Sequence, residues 1–192
     1  MESNFAPLDA LRDAGLEENT LIVFTSDHGD MDGAHKLQHN SVLYEESVRI
    51  PFILSQKGVI PAGIVDDEHL VSNGLDLLPT LCDATNIKIP DGLRGRSLLP
   101  LAYQRTEDGW RDFVVVESQH GRMLRTDRFK YSIYSSGKNR EQLVDLKNDP
   151  GEMRNLSDNP DYKSVLDEHR GLLKEWCEAN NDTMGLRYLV PE

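Results

Sequence analysis

The chain has 192 residues, with 33 acidic against 21 basic side chains and a formal charge of −12. That length holds one sizeable core or two small ones. The negative surface repels nucleic-acid phosphates and anionic lipid, so neither nucleic acid nor membrane is an expected partner. No apolar run approaches the roughly eighteen residues that a membrane-spanning helix needs. Two widely separated cysteines, Cys82 and Cys177, make neither a disulfide framework nor a metal-binding spacing. The first residues, MESNFAPLDALRDAG, lack the basic and apolar regions of a signal peptide. The expectation is a soluble chain whose compartment stays open.

Taken in order, Phe5 to Ala14 reads as a short helix stopped by Gly15. Leu21-Ile22-Val23-Phe24 follows, an apolar run rich in β-branched residues. Such a run predicts a strand buried on both faces of a mainly parallel sheet. Directly after it, three of the six histidines (His28, His35 and His39) and three aspartates (Asp27, Asp30 and Asp32) crowd into one stretch. Ligands of open α/β sheets collect outside the carboxyl ends of the strands, which is where this cluster falls. A carboxylate suits calcium or magnesium, and a neutral imidazole suits manganese, zinc or other borderline ions. Neighbours in a strand point to opposite faces, so Asp27 and His28 reach one ion only where the pleat ends. Gly29 is read as supplying that break through its backbone freedom. On the tripeptide alone, an aspartate- and glycine-rich turn capping a strand is the simpler reading.

Ser41 to Ser47 has room for one or two helical turns, and Pro51 opens a second short strand, Phe52-Ile53-Leu54. Leu70-Val71-Ser72 reads as a brief strand. Leu77, Leu78, Leu81 and Ala84 have helical spacing over 76–84, despite Pro79. Ser97-Leu98-Leu99 opens another helical turn. Arg94 and Arg96 have the charge to grip an anionic group, but loop cations pairing with the many surface acids is the favoured reading. The polar stretch between Tyr103 and Trp110 marks a boundary, set at 106/107. Beyond it, 113–116, 121–125, 129–134 and 142–146 are four strand candidates joined by short polar loops. The third alternates apolar and polar residues, the mark of a half-solvated antiparallel strand. Val165, Leu166, Leu172, Leu173 and Trp176 then predict a helix over 162–177, laid on that small sheet.

Six ordered blocks carry a resemblance: TLIVFTSDHGDMDGAHKL, LYEESVRIPFIL, VSNGLDLLPTL, LRGRSLLPL, RMLRTDRFKYSIY and QLVDLKNDPGEMRNL. Together they resemble the type I sulfatase family of the alkaline phosphatase superfamily, from about Leu11 to about Trp176. The resemblance implies an α/β fold in two parts. Residues 1–106 would be the C-terminal part of a mainly parallel, alkaline-phosphatase-like sheet with helices. Residues 107–192 would be a small antiparallel four-stranded sheet with a packed C-terminal helix. It implies hydrolysis of sulfuric esters with a divalent cation, usually calcium (magnesium or manganese being open), for which Asp27 and His28 would be ligands. It implies a formylglycine nucleophile, made from cysteine or serine in a C-x-P-x-R or S-x-P-x-R motif of an N-terminal half. It also implies a small-molecule or carbohydrate sulfate ester as substrate.

Neither cysteine nor any serine of this sequence has that nucleophile context, so the chain reads as a C-terminal portion, expected to be inactive alone. The family's lysine four residues before the tyrosine of the Y-E-E block is Asn40 here, which donates a hydrogen bond but supplies neither positive charge nor a general acid. His35 is a candidate substrate or leaving-group contact, and His39 a candidate substitute for that lysine, although register argues against equivalence. Asp30 and Asp32 read as solvated turn residues. His120 and Arg122, where a strand turns in the smaller part, are candidate substrate contacts; an exposed turn histidine is the alternative. Phosphoester or phosphonate monoester hydrolysis stays open as a rival chemistry, and a non-catalytic remnant or interaction module as a rival class. For the chain alone, the N-terminal half or a second copy are the expected partners.

Overall fold

The computed structural model describes residues 6–105 and 109–189. Among these the chain divides into two compact units, one of residues up to Asp27 together with Ile50–Trp110, the other of His28–Arg49 together with the residues from Arg111 on. The boundary at 106/107 lies outside the described residues.

The first unit contains helix α1 (Ala6–Asp13), strands β1 (Ile22–Thr25) and β2 (Phe52–Ser55), and helices α3 (Asn73–Ala84) and α4 (Leu99–Ala102). β1 and β2 pair antiparallel, with Phe24 opposite Ile53. Burial on both faces does not hold for β1: Phe24 is 50% and Ile53 54% exposed, because no described residue covers that side of the pair. Leu70–Ser72 is not a strand. Its groups turn elsewhere, the Leu70 carbonyl accepting from the Trp110 indole at 2.9 Å and the Ser72 amide donating to Asp76 at 2.8 Å.

α3 starts three residues earlier than its leucine pattern suggests, and it turns the other way. Asp76 and Thr80 are fully buried, whereas Leu78 and Leu81 are exposed. The inward face is fixed by hydrogen bonds: Asp76 accepts from the Ser72 and Arg96 amides, and the Thr80 hydroxyl accepts from the Leu98 amide at 2.9 Å. Pro79 lies inside the helix and has no N–H to give the Leu75 carbonyl one turn back. A β-carbon at Gly95 would collide with that same carbonyl, so glycine lets the 90–98 loop close on α3 where the helix lacks its own donor.

The second unit is built on a meander of β3 (Phe113–Glu117), β4 (Gly121–Thr126), β5 (Phe129–Tyr134) and β6 (Glu141–Asp145), every neighbour antiparallel. All four strands fall within a residue of the four candidates read from the sequence. One face meets α5 (Lys163–Ala179), with Leu124, Tyr131, Ile133 and Leu143 packed on Leu166, Leu173 and Cys177. A short helix not foreseen, α6 (Thr183–Tyr188), is capped by Asp182, whose side chain accepts from the Gly185 amide.

The half-solvated reading of β5 is overturned. Lys130 and Ser132, the polar members of its alternation, are each 2% exposed. The segment 28–49, which carries the one-turn helix α2 (Glu45–Val48), covers that face. Leu43 packs there, so close to Gly121 that a β-carbon on the glycine would stand 3.1 Å from Leu43 Cδ1. The α/β class thus holds, with the small sheet enclosed between a helix and a returning loop.

Candidate metal and substrate site

Asp27 stands two residues past β1, exposed, in a turn held by its own unit. Ser26 Oγ donates to Asp27 Oδ1 at 3.3 Å. From the first residue of α3, Asn73 Nδ2 donates to the Ser26 carbonyl at 2.7 Å and to the Asp27 carbonyl at 3.4 Å. Asn73 therefore clamps the backbone that presents the carboxylate. Sequence reading missed it, since only the fold brings position 73 to the end of β1.

His28 opens the covering segment of the second unit, and its imidazole is exposed. Nδ1 lies 2.7 Å from the Gly29 carbonyl oxygen. A carbonyl only accepts, so Nδ1 carries a proton in this contact. Metal-binding histidines are oriented in this way, one nitrogen donating to a carbonyl and the other left for the ion. Asp27 precedes His28 in sequence, and a carboxylate and an imidazole are donor types that suit divalent cations in general. Among the described residues no group of three or more His, Cys, Asp and Glu side chains could hold a metal.

Gly29 works differently from expectation. It is not among the glycines of positive φ. Its amide donates to the Ser47 carbonyl at 2.8 Å, and a β-carbon would collide with the Glu46 carbonyl. The requirement is for close approach of two backbones, which brings α2 against the residue after His28.

The loop beyond is tightly wound. Asp32, His35, Lys36 and His39 all take positive φ, between 41° and 66°, a conformation that costs non-glycine residues energy and clusters at functional sites. Met31, 1% exposed, anchors it, and the Met31 amide donates to the His39 carbonyl at 3.2 Å. His35 stacks on Tyr44 with ring centroids 4.0 Å apart and planes 18° from parallel. Its Nε2 lies 3.8 Å from Glu46 Oε1. His39 and Asn40 are exposed, and the Asn40 carbonyl accepts from Ser47 Oγ at 3.1 Å.

His120 is exposed in the β3–β4 turn, its amide donating to Ser118 Oγ at 3.2 Å and its carbonyl accepting from Ser135 at 2.8 Å. Arg122 is 4% exposed. Its Nε and Nη2 donate to Asp182 at 2.5 and 3.0 Å, and Nη1 donates to the Ser118 and Gly121 carbonyls at 2.8 Å each. That guanidinium ties the β3–β4 turn to the cap of α6. Asp30 accepts from the Asp32 amide at 2.9 Å, as a solvated turn residue does.

Residues 33–179 match the family described as N-sulphoglucosamine sulphohydrolase, C-terminal. The chain is 36% identical over 184 residues to the Delta 4,5-hexuronate-2-O-sulfatase of Bacteroides thetaiotaomicron, a match covering 91% of this chain and 38% of that enzyme. A solved 2-O GAG sulfatase superposes with a TM-score of 0.83 at 36% identity, over 91% of this chain and 40% of the other. The phosphonate monoester hydrolase of Agrobacterium radiobacter follows with a TM-score of 0.75 at 28% identity, over 88% and 37%. The chain thus spans about two fifths of the length of the relatives it matches. With the ordered blocks, the four-stranded sheet and these matches in agreement, the chain belongs to the sulfatase family and corresponds to its C-terminal portion.

Proposed function

We propose that this chain is the C-terminal part of a sulfuric ester hydrolase, contributing two ligands, Asp27 and His28, to one divalent cation, with calcium as the ion that the resemblance favours. The observation that carries this reading is the His28 Nδ1 hydrogen bond to the Gly29 carbonyl, the kind of contact that orients metal-binding histidines. A cation held there supplies Lewis acidity toward ester oxygens and eases ionisation of an attacking oxygen. Asp27 contributes negative charge and a hard donor, and Asn73 keeps its backbone in place. His35, held face to face on Tyr44, presents an imidazole for substrate or leaving-group contact. His39 lies exposed one residue from Asn40, where a donor in place of the family's lysine would serve. From the smaller part His120 is the better placed of the two candidates for substrate, since the Arg122 donors are engaged internally. The nucleophile and the other ligands would come from an N-terminal half bearing the formylglycine motif.

Likeness to a phosphonate monoester hydrolase supports a second chemistry at the same kind of site. An assay of a polypeptide joining this chain to its nucleophile segment separates the two. Turnover of an aryl sulfate above that of an aryl phosphonate, abolished by Asp27→Ala and by His28→Ala and reversed by chelation and calcium return, is the expected result. Preference for the phosphonate would overturn the sulfatase reading. Full activity in Asp27→Ala would overturn the ligand assignment.

A further inference from the structure

The face of the small sheet that the sequence pattern marks as solvated holds an ionic group instead. Lys130 on β5 and Glu152, in the turn after β6, form an ion pair whose side chains are each 2% exposed. Lys130 Nζ also lies 3.4 Å from Glu45 Oε1 and 5.9 Å from the centre of the Tyr44 ring. Glu152 Oε2 accepts from the Glu45 amide at 2.6 Å, and so satisfies a first-turn N–H of α2 that has no acceptor within the helix. Two residues earlier the Leu43 amide donates to Tyr134 Oη at 3.0 Å. Burial pushes the Tyr134 phenol up to about 12, so it meets this amide as a neutral hydroxyl. Arg125 on β4 stands 3.7 Å from Glu45. Leu43 and Glu45, which flank Tyr44, are thereby fastened by four side chains, those of Tyr134, Glu152, Lys130 and Arg125.

A buried ion pair is a poor device for stability alone, because desolvating both charges offsets their attraction. What it does well is to hold one geometry. Tyr44 sits between two of these tethers, and His35 is stacked on its ring.

We infer that Lys130, Glu152 and Tyr134 are positioning residues that fix Tyr44 and, through its ring, the imidazole of His35. The role of His35 at substrate rests on the proposed function, but its orientation can be read without turnover. In the 192-residue chain, the His35 ring protons, assigned by their loss in His35→Asn, should be displaced upfield by the Tyr44 ring. The double variant Lys130→Met with Glu152→Ala removes both charges together and leaves neither unpaired. It should lose most of that displacement, and Tyr134→Phe should lose part. Arg170→Gln breaks the Arg170–Glu141 pair elsewhere in the unit and should leave the His35 signals in place. An unchanged His35 spectrum in the folded double variant would overturn the assignment, as would an equal change in Arg170→Gln. Should the double variant not fold, hydrogen exchange of the unmodified chain decides. A Glu45 amide protected like those of β5 supports the tether, and one exchanging like an exposed loop amide overturns it.

Discussion

The two units handle apolar surface in opposite ways. In the second, Leu124, Leu143 and Leu173 are wholly buried, and the sheet is covered on one face by α5 and on the other by the segment 28–49. In the first, the cross-strand pair Phe24–Ile53 is half exposed, and α3 turns Leu78 and Leu81 outward. Full burial of such side chains is worth about 1.5–3 kcal/mol each, and the first unit forgoes much of it. The lesson concerns where the chemistry is mounted. The candidate ligand Asp27 stands in the turn after a strand of the open unit, whereas His35 rides on a loop fastened to the sheet of the closed one.

The sharpest way to break that contrast is to cut the fastening. Lys130→Met leaves the buried Glu152 carboxylate without its counter-ion, a change that costs about 3–5 kcal/mol. Burial already holds this carboxyl above the usual range, against the pull of Lys130. Adding Glu152→Gln neutralises the stranded group, so urea unfolding of the double variant should recover most of the loss. If both variants unfold alike, the pair is not the device described. Next in size is Leu143→Ala, in the wholly buried core between β6 and α5, expected to cost about 2–5 kcal/mol by the same measurement.

How much of this was legible depends on contact range. The strands at 113–134 could be read to within a residue or two, because alternation and short polar loops are local signals. The burial of Lys130 could not, since Glu45 returns from 85 residues away to cover it. Asp27 and His28 stand out by residue type and place, yet the Asn73 clamp depends on a contact across 47 residues. The leucine stripe of α3 misled because the buried hydrogen bonds of Asp76 and Thr80 outweigh periodicity in choosing the inward face. α6 escaped notice because six residues are too few to show a period; its signal was the Asp182 cap.

A smaller effect lies at the rim of the closed unit. Arg128 donates to both oxygens of Asp145, and these bonds, helped by Asn148, hold the carboxyl down at about 2. A carboxyl depressed on folding contributes stability above its unfolded pKa of about 3.9 and loses it as the pH falls toward the folded value. Unfolding free energies should therefore decline between about pH 4 and pH 2. In Arg128→Gln that decline should be shallower, with a remainder due to Asn148. Parallel curves would mean that the Arg128 contact contributes nothing.

The smallest effect belongs to the open face, and it tests the comparison from its weaker side. Phe24 is half exposed opposite an equally exposed Ile53, so Phe24→Ser removes about half of what full burial of the ring would contribute. The expected change in urea unfolding is about 1 kcal/mol, roughly half of what full burial contributes. A further consequence should fall on association. Exposed apolar patches favour contact between copies, and the substitution should weaken the concentration dependence of sedimentation. A loss of stability approaching that of Leu143→Ala would show that the Phe24 side of the sheet is covered in solution, and the contrast between the units would then disappear.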